Sequence, residues 1–276
     1  KCDRGGGALD KMIDFHNHIL PNLDDGSKST DMSIKMLSHA EEQGITDVVN
    51  TVHYLHPKVD GIDLSYDRIK DETKKLQSIL DEASIKIKLH IGSEVFYKPN
   101  LIEYKNDPVA TIGKGKYMLL EFSPNFIPNS HKQTFFDLKM NGITPIIAHP
   151  ERYKPVQKNI NIVYDWLNAG CIIQVDAGSV LGYLGNEAQI ASEKIIKQKW
   201  CQILGSDAHD LNKRNFNLDN ALSIVIKWIG EHYATLLVTD YPKAIINGDS
   251  LLFDFEEIKL KNSISILDRF YNFRKK

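Results

Sequence analysis

Cysteine is nearly missing from this sequence. Cys2, Cys171 and Cys201 are the only three in 276 residues, and no regular spacing relates them. An odd, sparse set argues against a disulfide framework and fits a reducing compartment, so a cytoplasmic location is expected. Long apolar runs are missing too. None approaches the ~18 residues of a membrane span, so direct membrane insertion is not expected. Neither sign of charge is in excess: 34 Lys and Arg stand against 36 Asp and Glu, a formal net charge of -2. That leaves no basic footprint for nucleic acid. There are no internal repeats and no low-complexity linker. Residues 1–11, "KCDRGGGALDK", lack the apolar core of a signal peptide and read as a flexible leader or a cloning remnant. With Lys1 as the first residue, a removed leader stays open.

What is present alternates. Seven apolar or period-two runs read as strands: "KMIDFH" (11–16), "ITDVVNTVH" (45–53), "IKIKLHIGSEV" (85–95), "KYMLLEF" (116–122), "ITPIIAH" (143–149), "CIIQVDA" (171–177) and "CQILGSDAH" (201–209). Helical patterns lie between most of them. The first, "STDMSIKMLSHAEEQG", has Ser29 or Thr30 as N-cap and Gly44 as its stop. Others are "LSYDRIKDETKKLQSILDEAS" and stretches near 130–140, 158–168, 186–199, 217–235 and 241–247. Strand–helix alternation at this length predicts an α/β fold, a single-domain distorted (β/α)7-type barrel over residues 12–250. Residues 251–276 read as an extension packed on or beside it.

Barrels of this kind carry their chemistry at the C-terminal ends of the strands. Here those ends are His16 and His18, His53, Glu94, Glu121, His149, and Asp207 with His209, so six of the seven strands finish on a histidine or carboxylate. In the first loop, "DDG" offers one aspartate to cap the turn and another to point inward. Each element alone has an ordinary reading: His-x-His is common, and a strand-end Glu is usually solvated. Together on one rim, several carboxylates would repel one another and pay for burial. Divalent cations remove that cost, because they favour ionised carboxylate and neutral imidazole. Nine mixed donors exceed the needs of one ion, so two or three metals are expected. Imidazole and carboxylate without thiolate suits Mn, Fe or Zn.

His39, His90, His131 and His232 read as solvated or core residues, and Asp176 as hydrogen-bonded to its adjacent loop. In "TVHYLHP", His53 closes the strand and is preferred over His56, which stays open.

The motifs "DFHNH", "LDDG", "TVH", "GSEVFY", "LLEFS", "AHPERY" and "SDAH", in this order, resemble the polymerase-and-histidinol-phosphatase (PHP) superfamily. Within it, the chain from about residue 12 to about residue 247 resembles the bacterial manganese-dependent protein-tyrosine phosphatases of capsule and exopolysaccharide clusters. "LLEFS" with "AHPER" points to that branch, since many PHP proteins carry His where Glu121 stands. The resemblance implies nine metal ligands: His16, His18, Asp25, His53, Glu94, Glu121, His149, Asp207 and His209. It also implicates Arg152, three residues after His149, and Arg214, five after His209. Tyr54 departs from relatives that often carry a second His or another polar residue there, so substrate contacts on that loop are expected to differ.

The activity so implied is phosphotyrosine hydrolysis with two or three Mn2+ ions, Fe or Zn being alternatives. The implied partner is a bacterial tyrosine autokinase of polysaccharide synthesis, and a homo-oligomer stays open. Arg152 and Arg214 would offer planar forks to phosphate oxygens, although a surface salt bridge is the ordinary reading of either. A phenol with pKa near ~10 leaves with little protonation, and His209 or a metal-bound water would serve as proton donor. A cysteine mechanism is out: the position six residues after each cysteine holds Ala8, Ala177 or Asp207, never the required Arg. A histidinol-phosphatase-type enzyme and a non-catalytic PHP module are the alternatives. "LLEFS" and the lack of an obvious lid insertion disfavour the first. The intact ligand set, with no polymerase domain in the chain, disfavours the second.

Overall fold

Seven strands follow one another around a single sheet, and every neighbouring pair is parallel. The structure is a computed structural model and describes residues 11–251. The strands are β1 (Met12–Asn17), β2 (Ile45–Tyr54), β3 (Lys88–Phe96), β4 (Tyr117–Glu121), β5 (Thr144–Ala148), β6 (Ile172–Asp176) and β7 (Ile203–Gly205). β1, β4, β6 and β7 are buried along their whole length. That explains why they read as near-continuous apolar runs: a parallel sheet is covered on both faces.

Parallel neighbours need crossovers. The helices supplying most of them and closing the chain are α1 (Thr30–Glu42), α2 (Tyr66–Glu82), α3 (His131–Met140), α4 (Lys154–Lys158), α5 (Asn161–Asn168), α6 (Ala177–Val180), α7 (Asn186–Lys197), α8 (Leu218–Ile229), α9 (Glu231–Leu236) and α10 (Asp240–Asn247). Ser29 caps α1, its side chain accepting the Met32 N–H at 3.2 Å. Gly44, at φ 88°, then turns the chain into β2.

The barrel nearly closes. β1 meets the stretch after β7 through one parallel bridge, Asn17 to Ala208, flanked by Asp207 N–H donating to His16 O at 2.7 Å and His18 N–H to Ala208 O at 2.8 Å. The buried Asp14 carboxylate fastens the same seam by accepting the Ser206 N–H at 3.1 Å. One apolar cluster, including Phe15, Val49, Leu119, Ile146, Ile172 and Ile203, draws a residue from most of the strands. The larger cluster joins strand residues to helix residues such as Met36, Leu37 and Trp166.

Some boundaries differ from the sequence reading. The 217–235 helix breaks at Gly230, whose φ of 84° lies outside the helical region, into α8 and α9. The 158–168 helix is two, α4 and α5, separated where Asn159 takes an extended conformation. The third strand starts at Lys88, where its ladder with Asp47 begins, although Ile85 and Ile87 are already buried. All of the 1–11 leader but Lys11, and all of the 251–276 extension but Leu251, lie outside the described residues. Among those described, no helix is long and apolar enough to cross a membrane.

Candidate metal centre

Parallel strands point their C-terminal ends the same way, so the rim residues meet. Glu94, at the end of β3, is the hub. Its Oε2 lies 3.3 Å from His16 Nε2, 3.5 Å from His18 Nε2 and 3.1 Å from His53 Nδ1, while Oε1 is 2.7 Å from His149 Nε2. Asp207 Oδ1 is 3.4 Å from the Nε2 atoms of both His16 and His18. In the first loop, Asp25 Oδ1 sits 3.1 Å from His53 Nε2 and 3.3 Å from His209 Nε2. Glu121, from β4, is 3.8 Å from His53 and 3.9 Å from His149. All nine residues implied as ligands therefore lie in one constellation, and all but Asp25 are buried.

The donors fall into overlapping groups whose atoms lie within 4.8 Å of one another: His18, Asp25, His53 and His209; His16, His18 and Asp207; His16, Glu94 and His149; His53, Glu94 and Glu121. Their ring orientations are set from behind. Asp24 Oδ2 accepts the His18 Nδ1 proton at 2.6 Å and the His53 N–H at 3.1 Å, and its Oδ1 accepts the Gly26 N–H. Gln174 Oε1 accepts from His16 Nδ1 at 2.9 Å and from the His149 N–H at 3.3 Å. His209 Nδ1 donates to the Asp207 carbonyl at 2.8 Å. In the neutral rings, with those protons committed, His16, His18 and His209 each present a bare Nε2 to the centre, and each of these atoms is buried without a hydrogen-bond partner. Paired orientation of this kind is what a metal-ligating imidazole requires. His149 and Asp207 sit at φ 32° and 49°, a left-handed backbone that costs non-glycine residues energy and aims both side chains inward.

The charges are crowded. Burial disfavours ionisation of Glu94 and Asp207, yet protonation of the facing imidazoles, with Arg214 and Arg152 beside Asp207, holds both well below the usual carboxylate range. The carboxylates raise His16 and His18 in return, so without a cation these two rings favour the protonated form that a bound cation would displace. Glu121 goes the other way, pushed up to about 7 by burial and then by the Glu94 charge. Burial and the Arg152 charge push His149 down to about 4. Bare imidazole nitrogens facing carboxylates that repel each other, with no thiolate among them, fit divalent cations.

Both implicated arginines reach this centre. Arg152 Nη1 and Arg214 Nη2 donate to Asp207 Oδ2, the second at 2.6 Å, and Arg152 also lies 3.4 Å from Asp176. Asp176 itself accepts the Gly178 N–H at 2.7 Å and so caps the short helix α6, where the sequence reading expected a bond to a loop. His56 does not lie apart: its ring stacks on His53 at 4.7 Å and Nε2 is 3.6 Å from Glu121. Gln174 escaped the sequence reading, although an amide inside the apolar run "CIIQVDA" is the signal that would have found it.

The Asp24–Asp25 loop packs its backbone directly on His18. Ser27 N–H donates to His18 O at 3.0 Å, and a Cβ at Gly26 would overlap the His18 carbonyl and Cβ. Gly26→Ala should therefore cost about 1–3 kcal/mol of stability and weaken cation binding. Urea unfolding with a wild-type midpoint would show that the loop is not held this way.

Residues 12–247 match the family described as capsular polysaccharide synthesis, CpsB/CapC. The chain belongs to that family. It is 35% identical over 208 residues to CapC of Staphylococcus aureus, covering 75% of this chain and 80% of that one. It is 29% identical over 227 residues to the tyrosine-protein phosphatase YwqE of Bacillus subtilis, covering 82% and 88%. The crystal structures of YwqE and of CpsB from Streptococcus pneumoniae are described as unique metal-dependent tyrosine phosphatases. The match there has a TM-score of 0.82 at 28% identity, covering 87% of this chain and 96% of that one. A histidinol phosphate phosphatase from Lactococcus lactis, at TM-score 0.50 and 15% identity, shares the fold. The CpsB/CapC chain described here thus has metal-dependent phosphatases as its relatives and the nearly closed seven-stranded barrel as its frame.

Proposed function

We propose that this CpsB/CapC protein hydrolyses phosphotyrosine, with a bacterial tyrosine autokinase of polysaccharide synthesis as its cytoplasmic substrate. The observation that carries the reading is the convergence of two guanidiniums and a bare-nitrogen, carboxylate-rich centre on one residue, Asp207. Its Oδ1 faces the imidazoles and its Oδ2 holds Arg152 and Arg214, so a phosphate at the centre meets both forks.

His16, His18, Asp25, His53, Glu94, Glu121, His149, Asp207 and His209 would hold two or three divalent cations, Mn2+ first, with Fe or Zn as alternatives. Bound cations of this kind supply a nucleophilic water at neutral pH and neutralise phosphoryl charge. The chain's own residues do the rest. Asp24 and Gln174 keep His18 and His16 in the ligating tautomer. Arg152 and Arg214 bind and orient the non-bridging phosphate oxygens through planar donor pairs. The commitment of the His209 ring proton to a carbonyl supports ligation through Nε2 over proton donation to the leaving group.

The test is hydrolysis of a phosphotyrosine peptide and of histidinol phosphate by protein stripped with chelator and resupplied with Mn2+. Stripping should remove phosphotyrosine turnover and Mn2+ restore it, with Glu121→Ala inactive throughout. Preference for histidinol phosphate would replace the substrate class, and metal binding without turnover of either would leave a non-catalytic module.

A further inference from the structure

His56 belongs to none of the groups that could share a cation, yet it lies at their edge. Leu55, at φ 58°, swings the chain so that His56 caps the short 3-10 turn Pro57–Val59 and faces back toward the centre. The capping bond decides its chemistry. His56 Nδ1 accepts the Lys58 N–H at 3.0 Å, so in the neutral ring the proton sits on Nε2. Nε2 itself lies 3.6 Å from Glu121 Oε2, at the edge of the centre and too far for a hydrogen bond. His16, His18 and His209 are the reverse, with Nδ1 holding the proton and Nε2 bare. His56 is thus the wrong tautomer for a ligand through Nε2 and the right one for a donor. The ring also stacks on His53 and takes Phe96 edge-on at 4.7 Å, which fixes its direction.

His56 also lines a cavity of about 640 Å³, together with Tyr54, Pro57, Ile62, Leu64 and Phe96. An aryl group seated against Phe96 and Tyr54, with its phosphate on the centre, would bring its ester oxygen to the edge that His56 occupies.

We propose that His56 is a further catalytic residue of the phosphatase reaction, its Nε2–H donating a hydrogen bond to the ester oxygen of an aryl phosphate whose ring occupies this cavity. The inference rests on the phosphatase reading above. As water adds to phosphorus and the P–O(aryl) bond breaks, negative charge gathers on the departing oxygen. A fixed neutral donor stabilises that charge more in the transition state than in the ground state. The phenolate leaves with the bonding pair and takes its proton from solvent.

The experiment compares wild type, His56→Phe and His56→Gln, loaded with Mn2+, on aryl phosphates whose phenols span several pKa units. Bound metal is counted in each. Help to the leaving oxygen matters most for poor leaving groups. His56→Phe should therefore lose about 10^2-fold on phenyl phosphate and far less on 4-nitrophenyl phosphate, steepening the leaving-group dependence at full metal content. His56→Gln, which can place an N–H in a similar position, should recover part of that loss. An equal loss on every substrate, or a loss of bound metal, overturns the assignment and returns His56 to a capping or ligating role. If wild type turns over none of the substrates, the phosphatase reading fails and takes this one with it.

Discussion

Glu94→Gln is expected to lower kcat/KM on a phosphotyrosine peptide by about 10^2–10^3-fold and to leave the purified protein short of metal. Among the described residues, Glu94 is the one carboxylate within 3.5 Å of four imidazoles, and its two oxygens face different partners. The amide keeps the size and one oxygen but removes the charge and adds donors that point at nitrogens meant to be bare. Removing one partner of a buried charged set costs about 3–5 kcal/mol, and about 1.4 kcal/mol is a factor of ten. Because Glu94 takes part in two of the overlapping donor groups, more than one cation should be affected. Metal content by mass spectrometry and kinetics on the same sample measure this. A variant that keeps full metal and more than a tenth of wild-type activity would remove Glu94 from the hub.

The second large effect is expected from Arg152→Lys. Charge is conserved, so Asp207 and Asp176 keep a cationic neighbour, and Asp176, already pushed up to about 7 by burial and then by Asp207, is not left alone. What disappears is the planar fork. An ammonium cannot bind two phosphate oxygens side by side. Loss of a fixed donor at developing charge typically costs about 10^2–10^3-fold, and kcat/KM should fall within that range with metal content unchanged. Arg214→Lys should fall less, since among the described residues Arg214 pairs with Asp207 alone, whereas Arg152 is held by Asp207 and Asp176 together. Equal metal content with unchanged kinetics in both variants would make the arginines structural partners of Asp207 and nothing more.

Much of this is legible in the sequence alone. Period-two and apolar runs marked the strands, and helices between them forced parallel pairing, because a parallel neighbour cannot be reached by a tight turn. Once strands are parallel, all their C-terminal ends share one face. A list of strand-final residues is then already a list of neighbours, which is why His53, Glu94, Glu121 and His149 could be grouped although about forty residues separate the first two.

What required the tertiary structure is of another kind. The seam between β1 and β7 depends on Asp14 meeting Ser206, 192 positions away. The break at Gly230 depends on where α8 and α9 must pack, since a glycine is tolerated inside a helix as well as between two. Most of all, the ring protons were not readable. "TVHYLHP" offers two histidines of one composition, and only the approach of the Lys58 N–H to His56 and of Asp24, Gln174 and the Asp207 carbonyl to three others sorts donors from bare nitrogens. Residue type and period determine which groups reach the rim, because backbone geometry is local. The protonation and direction of each group are set by long-range contacts that no local pattern encodes.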